Sequence, residues 1–386
     1  MEFKTGLCMP IILMCLAGCS IHTAEEAPPQ VVNSDPSLSY TPTAFPTRVP
    51  SRTATLVPSP TPELKPDSLR ELAKQQDFLV GVEVQSAYLE DEAYRSLVSS
   101  EFNMLTPGWE MKFGPLEPQP GEFQFEVADQ LFEFAEANQM LVRGHVLVWH
   151  RENPAWLDSE LRTRDQAIEA LRNHIYTVVG HYRGRAYAWD VVNEALNDDG
   201  SWRPTIWYEL IGPDYVEMAF RWANDADPSA LLFYNDYGAE GMSAKADAVY
   251  SLLSQLLSKG VPVDGVGLQM HIGLKDYPSS QDIQANIERL GALGLQVHIT
   301  EMDVSTVDSG MTDTDALAQQ AQIYADVLAV CLRTESCNAF TVWGLGDDQS
   351  WLREINSTDQ PLLFDGQLMP KPAYEALVST LKQGMR

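Results

Sequence analysis

Eight short runs rich in β-branched and aromatic residues recur along this chain, with helical patterns between them. They are FLVGVEV (78–84), FNMLTP (102–107), MLVRGHVLVWH (140–150), AYAWDVVNE (186–194), ALLFYND (230–236), GVGLQMH (265–271), LQVHITE (295–301) and AFTVWG (339–344). Among the intervals, DALAQQAQIYADVLAVCL (315–332) is amphipathic at helical period. Strands separated by helices pair in parallel, and eight such units close on themselves as an α/β protein of the (β/α)8, or TIM, barrel type. An open doubly wound sheet is the alternative, but no glycine-rich phosphate loop follows the first run.

The chain before these runs is of another kind. Lys4 precedes an apolar stretch, Leu7 to Leu16, too short to persist as a bilayer-spanning helix. It leads directly into LAGC, Leu16 to Cys19, which resembles a bacterial lipobox. Residues 1–18 therefore read as a lipoprotein signal peptide and Cys19 as the lipidated residue; an ordinary secretory signal is the alternative. Ten of the 24 prolines fall between Pro28 and Pro66, mixed with Thr and Ser, so 19–66 reads as a disordered, extended tether. No composition break follows, and 67–386 reads as one domain. The expected location is the cell envelope, with this domain outside the cytoplasm.

Charge and cysteine usage narrow the partners. Against 26 basic residues stand 54 acidic ones, a net charge of −28, which excludes nucleic acid and anionic lipid because nothing would offset phosphate repulsion. Membrane contact is then expected only through the anchor on Cys19, while a neutral sugar fits without difficulty. Of the five cysteines, Cys8 and Cys15 leave with the signal and Cys19 is the anchor. Cys331 and Cys337 remain, an even pair expected to form a disulfide in an oxidising compartment, two buried thiols being the alternative.

His150, Glu194, Asp236, His271 and Glu301 stand at the carboxyl ends of the apolar runs. In a barrel those ends share one mouth, where active sites lie. Two glutamates facing each other there suit glycoside hydrolysis with retention, in which one carboxyl gives a proton and the other attacks carbon.

WDVVNEAL (189–196) and VHITEMDV (297–304) resemble the two signature stretches of glycoside hydrolase family 10, chiefly endo-β-1,4-xylanases. The resemblance extends through GHVLVWH, YVEMAFRWANDADPSALLFYNDY, GVGLQMHI, TVWGLGDDQSW and PLLFDGQLMPKPAY, nearly the whole of 67–386. It implies an endo-acting enzyme that cleaves β-1,4-xylosidic bonds in xylan through a covalent glycosyl-enzyme. Glu194 corresponds to the acid/base and Glu301 to the nucleophile. Asn193 corresponds to the amide that binds the 2-hydroxyl of the cleaved sugar. His271 and Asp303 match residues that orient the nucleophile, with Gln269 their neighbour. Lys112 and His145 match binders of hydroxyls on the cleavage-site sugar, and Trp149, Trp343 and Trp351 match aromatics around that ring. His150, Asn235 and Tyr237 lie in matching motifs, and the Cys331–Cys337 pair has a common counterpart. The resemblance implies no cofactor and no metal; a monomer acting on xylan or a related β-linked polysaccharide is expected.

One stretch departs from the family, which typically reads Thr-x-Glu-Asn-x-Met-Lys where this chain has TPGWEMK (106–112). Gly108 and Trp109 stand where the family's Glu and Asn bind the sugar one unit beyond the cleavage site, on the non-reducing side. Weak binding there and modest activity on linear xylan are the expectation. Glu110 points elsewhere, and Gly108→Glu with Trp109→Asn is expected to raise kcat/KM about tenfold. The departure leaves open another β-glycan, or short or decorated xylo-oligosaccharides, as substrate. A metal hydrolase using His145, His150 and His271 is a further alternative, although their spacing matches no zinc helix motif. So is a non-catalytic polysaccharide-binding barrel, though such barrels usually lack one of the two acids.

Overall fold

The apolar runs form one closed parallel sheet. In the computed structural model, which describes residues 66–307 and 309–384, the strands are β1 (Leu79–Val84), β2 (Met104–Pro107), β3 (Leu141–Gly144) and β4 (Ala188–Asn193). They continue as β5 (Leu231–Asp236), β6 (Gly265–Leu268), the short β7 (His271–Gly273), β8 (Gln296–Ser305) and β9 (Cys337–Val342). The neighbour order is β6-β5-β4-β3-β2-β1-β9-β8, and pairing of β6 with β8 closes the ring. The fold is a (β/α)8 barrel. The signal peptide, Cys19 and all of the tether before residue 66 lie outside the described residues.

Strands covered by helices on one side and filled from within on the other are buried on both faces, which is why they read as continuous apolar runs. Several of the surrounding helices begin at side-chain caps. Thr163 and Gln166 form a capping box that starts the helix Arg164–His181, and Thr312 caps Asp313–Arg333. Inside the barrel, glycines make room for large neighbours. A methyl group at Gly265 would meet Phe233 Cε1 at 2.2 Å, and one at Gly267 would meet Asn235 Oδ1 at 2.0 Å. The interior also holds charge. Arg143 is wholly buried, donating from Nε to Asp190 Oδ2 at 3.0 Å and facing His298 Nδ1 at 3.0 Å, with a further ion pair to Asp190 Oδ1.

Three runs differ from the sequence expectation. The run 140–150 is not one continuous strand: β3 ends at Gly144, His145 turns to bond Asp190 Oδ2 through Nδ1 at 2.9 Å, and Val148 rejoins β4 by a single bridge to Val192. The run 265–271 splits at Gln269 and Met270 into β6 and β7, with Met270 at φ 66°. Glu301 is not a strand tip. β8 runs on to Ser305, because β7 pairs with its far end from His271↔Asp303 to Gly273↔Ser305.

Cys331 and Cys337 are joined as a disulfide that ties the end of the helix Asp313–Arg333 to the first residue of β9. A loop this short limits the entropy the bridge removes from the unfolded chain to about 2 kcal/mol. Cys331→Ala with Cys337→Ala should therefore lower the stability of 67–386 by an amount of that order in urea titration. An unchanged urea midpoint would show that the bridge does not stabilise the domain.

Candidate active site

Backbone irregularities aim the two glutamates. The β4–β5 register shifts between Asp190 and Val192, and the β8–β9 register shifts between Ile299 and Met302. Such bulges re-aim side chains next to them. Glu194 follows β4 directly and adopts φ 55°, a left-handed conformation that a glutamate takes only when its surroundings impose it. Its backbone N–H donates to Asn235 O at 2.9 Å, and Arg203 Nε donates to its carbonyl at 3.0 Å. Glu301 is 5% exposed and Glu194 8%.

A relay of amides joins the two carboxylates. Asn235 Nδ2 donates to Glu301 Oε1 at 2.6 Å and to Asn193 Oδ1 at 2.9 Å. Gln269 Nε2 donates to the same Asn193 oxygen at 3.1 Å and to Glu194 Oε1 at 3.1 Å. Both donor hydrogens of Asn235 and of Gln269 are thus committed. Asn193 Nδ2 donates once, to Glu194 Oε1 at 3.2 Å, and its second hydrogen is left for a substrate. Thr300 Oγ1 donates to Asn235 Oδ1 at 2.7 Å, which fixes that amide's orientation.

The charges around the two acids differ. His271 Nε2 lies 3.2 Å from Glu301 Oε2, and its Nδ1 lies 2.9 Å from Asp303 Oδ2, which also accepts from Trp351 Nε1 at 2.9 Å. A carboxylate beside each ring nitrogen favours the imidazolium. Burial works against that cation, but the Asp303 charge and the bonds to Asp303 and Glu301 hold its pKa well above the ordinary imidazole value. Burial likewise opposes charge on Glu301, yet His145 and His271 keep its carboxyl below the usual range. His150 Nδ1 lies 3.6 Å from Glu194 Oε2. Burial first, then Arg203, Arg151 and Lys245, outweigh the pull of Glu194 and lower its pKa to about 4, so this ring is neutral.

Aromatic side chains wall the mouth. Trp343 packs edge-on against His145 at 5.2 Å, and Trp351 against His271 at 5.3 Å. Lys112 Nζ lies 4.7 Å over the Trp149 ring and 5.9 Å over that of Trp109. Beside Glu194 opens a cavity of about 800 Å³ lined by residues including His150, Asn197, Arg203 and Glu209. Tyr237 borders it through bonds with Arg203 Nη2 at 3.1 Å and Asp198 Oδ1 at 2.7 Å. Asp236 is structural: Tyr234 OH donates to it at 2.6 Å and Lys245 Nζ pairs with it at 2.8 Å. Among the described residues, no three His, Cys, Asp or Glu side chains converge as metal ligands.

The structure brings Glu194, Glu301, Asn193, Asn235, Gln269, His271, Asp303, His145, Lys112, Trp149, Trp343 and Trp351 to this one mouth. At Gly108 the structure holds a carboxylate from the neighbouring strand: a Cβ there would fall 1.6 Å from Glu83 Oε1 and 2.8 Å from Glu83 Cγ, so a side chain at 108 requires Glu83 to move. Glu110 is turned away, accepting from Ser86 N at 2.6 Å. Glu83 escaped the sequence reading, although a carboxylate inside the apolar run GVEV was its signal.

The profile of glycosyl hydrolase family 10 matches residues 68–380. Endo-1,4-beta-xylanase B of Thermotoga neapolitana is 39% identical over 82% of this chain and 92% of its own length. Endo-1,4-beta-xylanase A of Caldicellulosiruptor sp. is 40% identical over 78% of this chain, which spans 46% of that longer protein. Among solved structures, xylanase 10B from Thermotoga petrophila in complex with xylobiose superposes with a TM-score of 0.79 at 40% identity, covering 82% of this chain and 97% of its own.

Asp303→Asn removes the charge that does most to hold the His271 proton. The ring's titration should then move down towards the ordinary imidazole range, which nitrogen-15 NMR follows directly. Titration at the same pH in both proteins would show that Asp303 does not hold the cation.

Proposed function

The chain is a glycoside hydrolase of family 10, and we propose that it cleaves xylan internally as a retaining endo-1,4-β-xylanase. The observation that carries this reading is the pair of buried glutamates joined by the Asn235–Asn193–Gln269 relay, with His271 holding only Glu301 in its charged form. Glu301 Oε attacks the anomeric carbon while Glu194 gives its proton to the departing glycosidic oxygen. The product of that step is a glycosyl ester on Glu301. Glu194, now ionised, takes a proton from the water that hydrolyses the ester and is ready for the next cycle. Across both steps the spare Asn193 hydrogen is directed to the 2-hydroxyl, a bond that strengthens in the transition state.

The remaining side chains bind sugar. His145 gives its Nδ1 proton to Asp190, leaving Nε2 for a sugar hydroxyl. Lys112 sits over Trp149 within range of Glu301, and Trp343 and Trp351 offer flat faces to pyranose C–H groups. Xylobiose in the complex of the Thermotoga petrophila relative supports xylo-oligosaccharides as ligands. The unit of function is a monomer.

The test is stereochemical. The reducing end released from xylan should first appear as the β anomer in proton NMR; the α anomer would exclude double displacement. Glu301→Ala should lose nearly all activity. Glu194→Ala should keep faster turnover of substrates with good leaving groups and be rescued by azide. Equal losses on good and poor leaving groups, without azide rescue, would remove Glu194 from the acid/base role.

The reading extends to location: an exported lipoprotein anchored through Cys19. Its support is the LAGC stretch and the Cys331–Cys337 bridge, which suits an oxidising compartment. Cys19→Ala should shift the protein from the membrane fraction to the soluble one. Unchanged partition would remove the anchor.

A further inference from the structure

Glu83 is a buried carboxylate near the mouth that the two-step chemistry leaves unused. It lies near the end of β1, in register with Thr106 of β2, and is 4% exposed. One side-chain bond is made to it, from Gln85 Nε2 to Oε1 at 3.2 Å. Its side chain lies across the end of β2, over Gly108, whose absent Cβ is the space Oε1 occupies. On the other side, a Cβ at Gly344 would stand 3.8 Å from Oε2. The carboxyl group is therefore wedged between the strand ends that lead to Gly108 and Gly344, facing the same interior as Lys112 and Glu301. Burying a carboxyl group this far costs several kcal/mol unless its hydrogen-bonding capacity is met.

The position of Glu83 relative to Glu194 indicates which sugar it reaches. Glu194 protonates the leaving oxygen, and the cavity lined by His150, Asn197 and Arg203 opens on its side, so the leaving half of the glycan lies there. β1 and β9 stand across the ring from β4. Sugars on the non-reducing side therefore pass over the ends of β1 and β2. Trp109 stands there, 46% exposed, with Lys112 beside its ring.

We propose that Glu83 binds the hydroxyls of the sugar next to the cleaved one on the non-reducing side, that Gly108 exists to admit it, and that Trp109 is the platform for that ring. This rests on the xylanase reading and deepens it. Adjacent hydroxyls of a xylose unit match the two oxygens of one carboxyl group. Burial raises the Glu83 pKa to about 7, against the pull of Gln85 and Lys112, so near neutrality the group both accepts from and donates to hydroxyls. The non-reducing side is then not a weakened subsite. It is rebuilt from the neighbouring strand.

The experiment compares an aryl β-xylobioside, which occupies this site, with an aryl β-xyloside, which does not. Glu83→Ala should lose at least about tenfold in kcat/KM on the xylobioside and change little on the xyloside. Gly108→Glu alone should also lose activity, because two side chains then claim one volume. Combining Gly108→Glu with Glu83→Ala should recover much of the loss. Glu83→Met nearly keeps the shape but has no polar head, and should show the same selective loss even where the alanine variant folds poorly. Equal losses on both substrates, or no loss on the xylobioside, would overturn the proposal. A native enzyme that turns over neither substrate would overturn the xylan reading instead. Calorimetric binding of xylobiose would then decide for Glu83: weaker binding in Glu83→Met supports the proposal, and equal binding overturns it.

Discussion

An arginine with no exposed surface lies inside the barrel, and the mouth is arranged around its neutralisation. Arg143 remains charged at any pH a protein survives, so every group facing it must accept. Asp190 takes two of its nitrogens and His298 the third. Burial and the Arg143 charge push the His298 pKa well below the imidazole range, which leaves its Nδ1 lone pair free to accept. Burial opposes charge on Asp190, but Arg143 and His145 together hold its carboxyl below the ordinary range. The same carboxylate fixes His145, whose Nδ1 lies 3.9 Å from Glu301 Oε1. Removing either member of the Arg143–Asp190 pair would strand the other, at a cost of about 3–5 kcal/mol. The acid chemistry above is thus built on an ion pair below that touches no substrate.

The two glutamates acquire different chemistry from different surroundings. Glu301 sits within a continuous strand, against His271 and next to His145, so its negative charge is stabilised. Glu194 sits one residue beyond its strand, bonded to two amides and beside a neutral His150. Environments that separate the protonation states of two nearby carboxyls are the general means of dividing acid from nucleophile. The intervening amides bond both carboxylates and add no charge. They orient both carboxylates and leave one hydrogen of Asn193 over for the substrate.

The barrel was legible in the sequence because strands buried on both faces read as apolar runs, and their carboxyl ends share one mouth whatever the loops do. Asn193, Glu194 and His271 were legible for the same reason, as polar residues closing such runs, whereas Gln269 was legible only through the family resemblance. What escaped were features that depend on partners distant in sequence. The end of β3 at Gly144 follows from His145 turning to Asp190, and nothing in GHVLVWH marks that turn. The continuation of β8 past Glu301 depends on β7, which begins at the last residue of another run and extends two residues beyond it. Glu83 was hidden by its neighbour, since Gly108 alone reads as a lost side chain.

Its meaning changes when β1 and β2 are taken together. Side chains that point into a barrel from adjacent strands share one interior, so a large group on one strand requires a small one beside it. Gly265 faces Phe233, Gly267 faces Asn235, Gly81 faces Thr341 and Gly108 faces Glu83, each too close to admit a methyl group without displacing its partner. In the first three pairs the larger member fills the interior or orients a carboxylate. In the fourth it is itself a carboxylate at the mouth. Because the register of β1 against β2 sets Glu83 level with Thr106, its side chain can reach the volume above Gly108 from the strand alongside. A functional group at a barrel mouth is therefore a property of a strand pair, and a position that has lost its side chain has to be judged against the residue that fills the space.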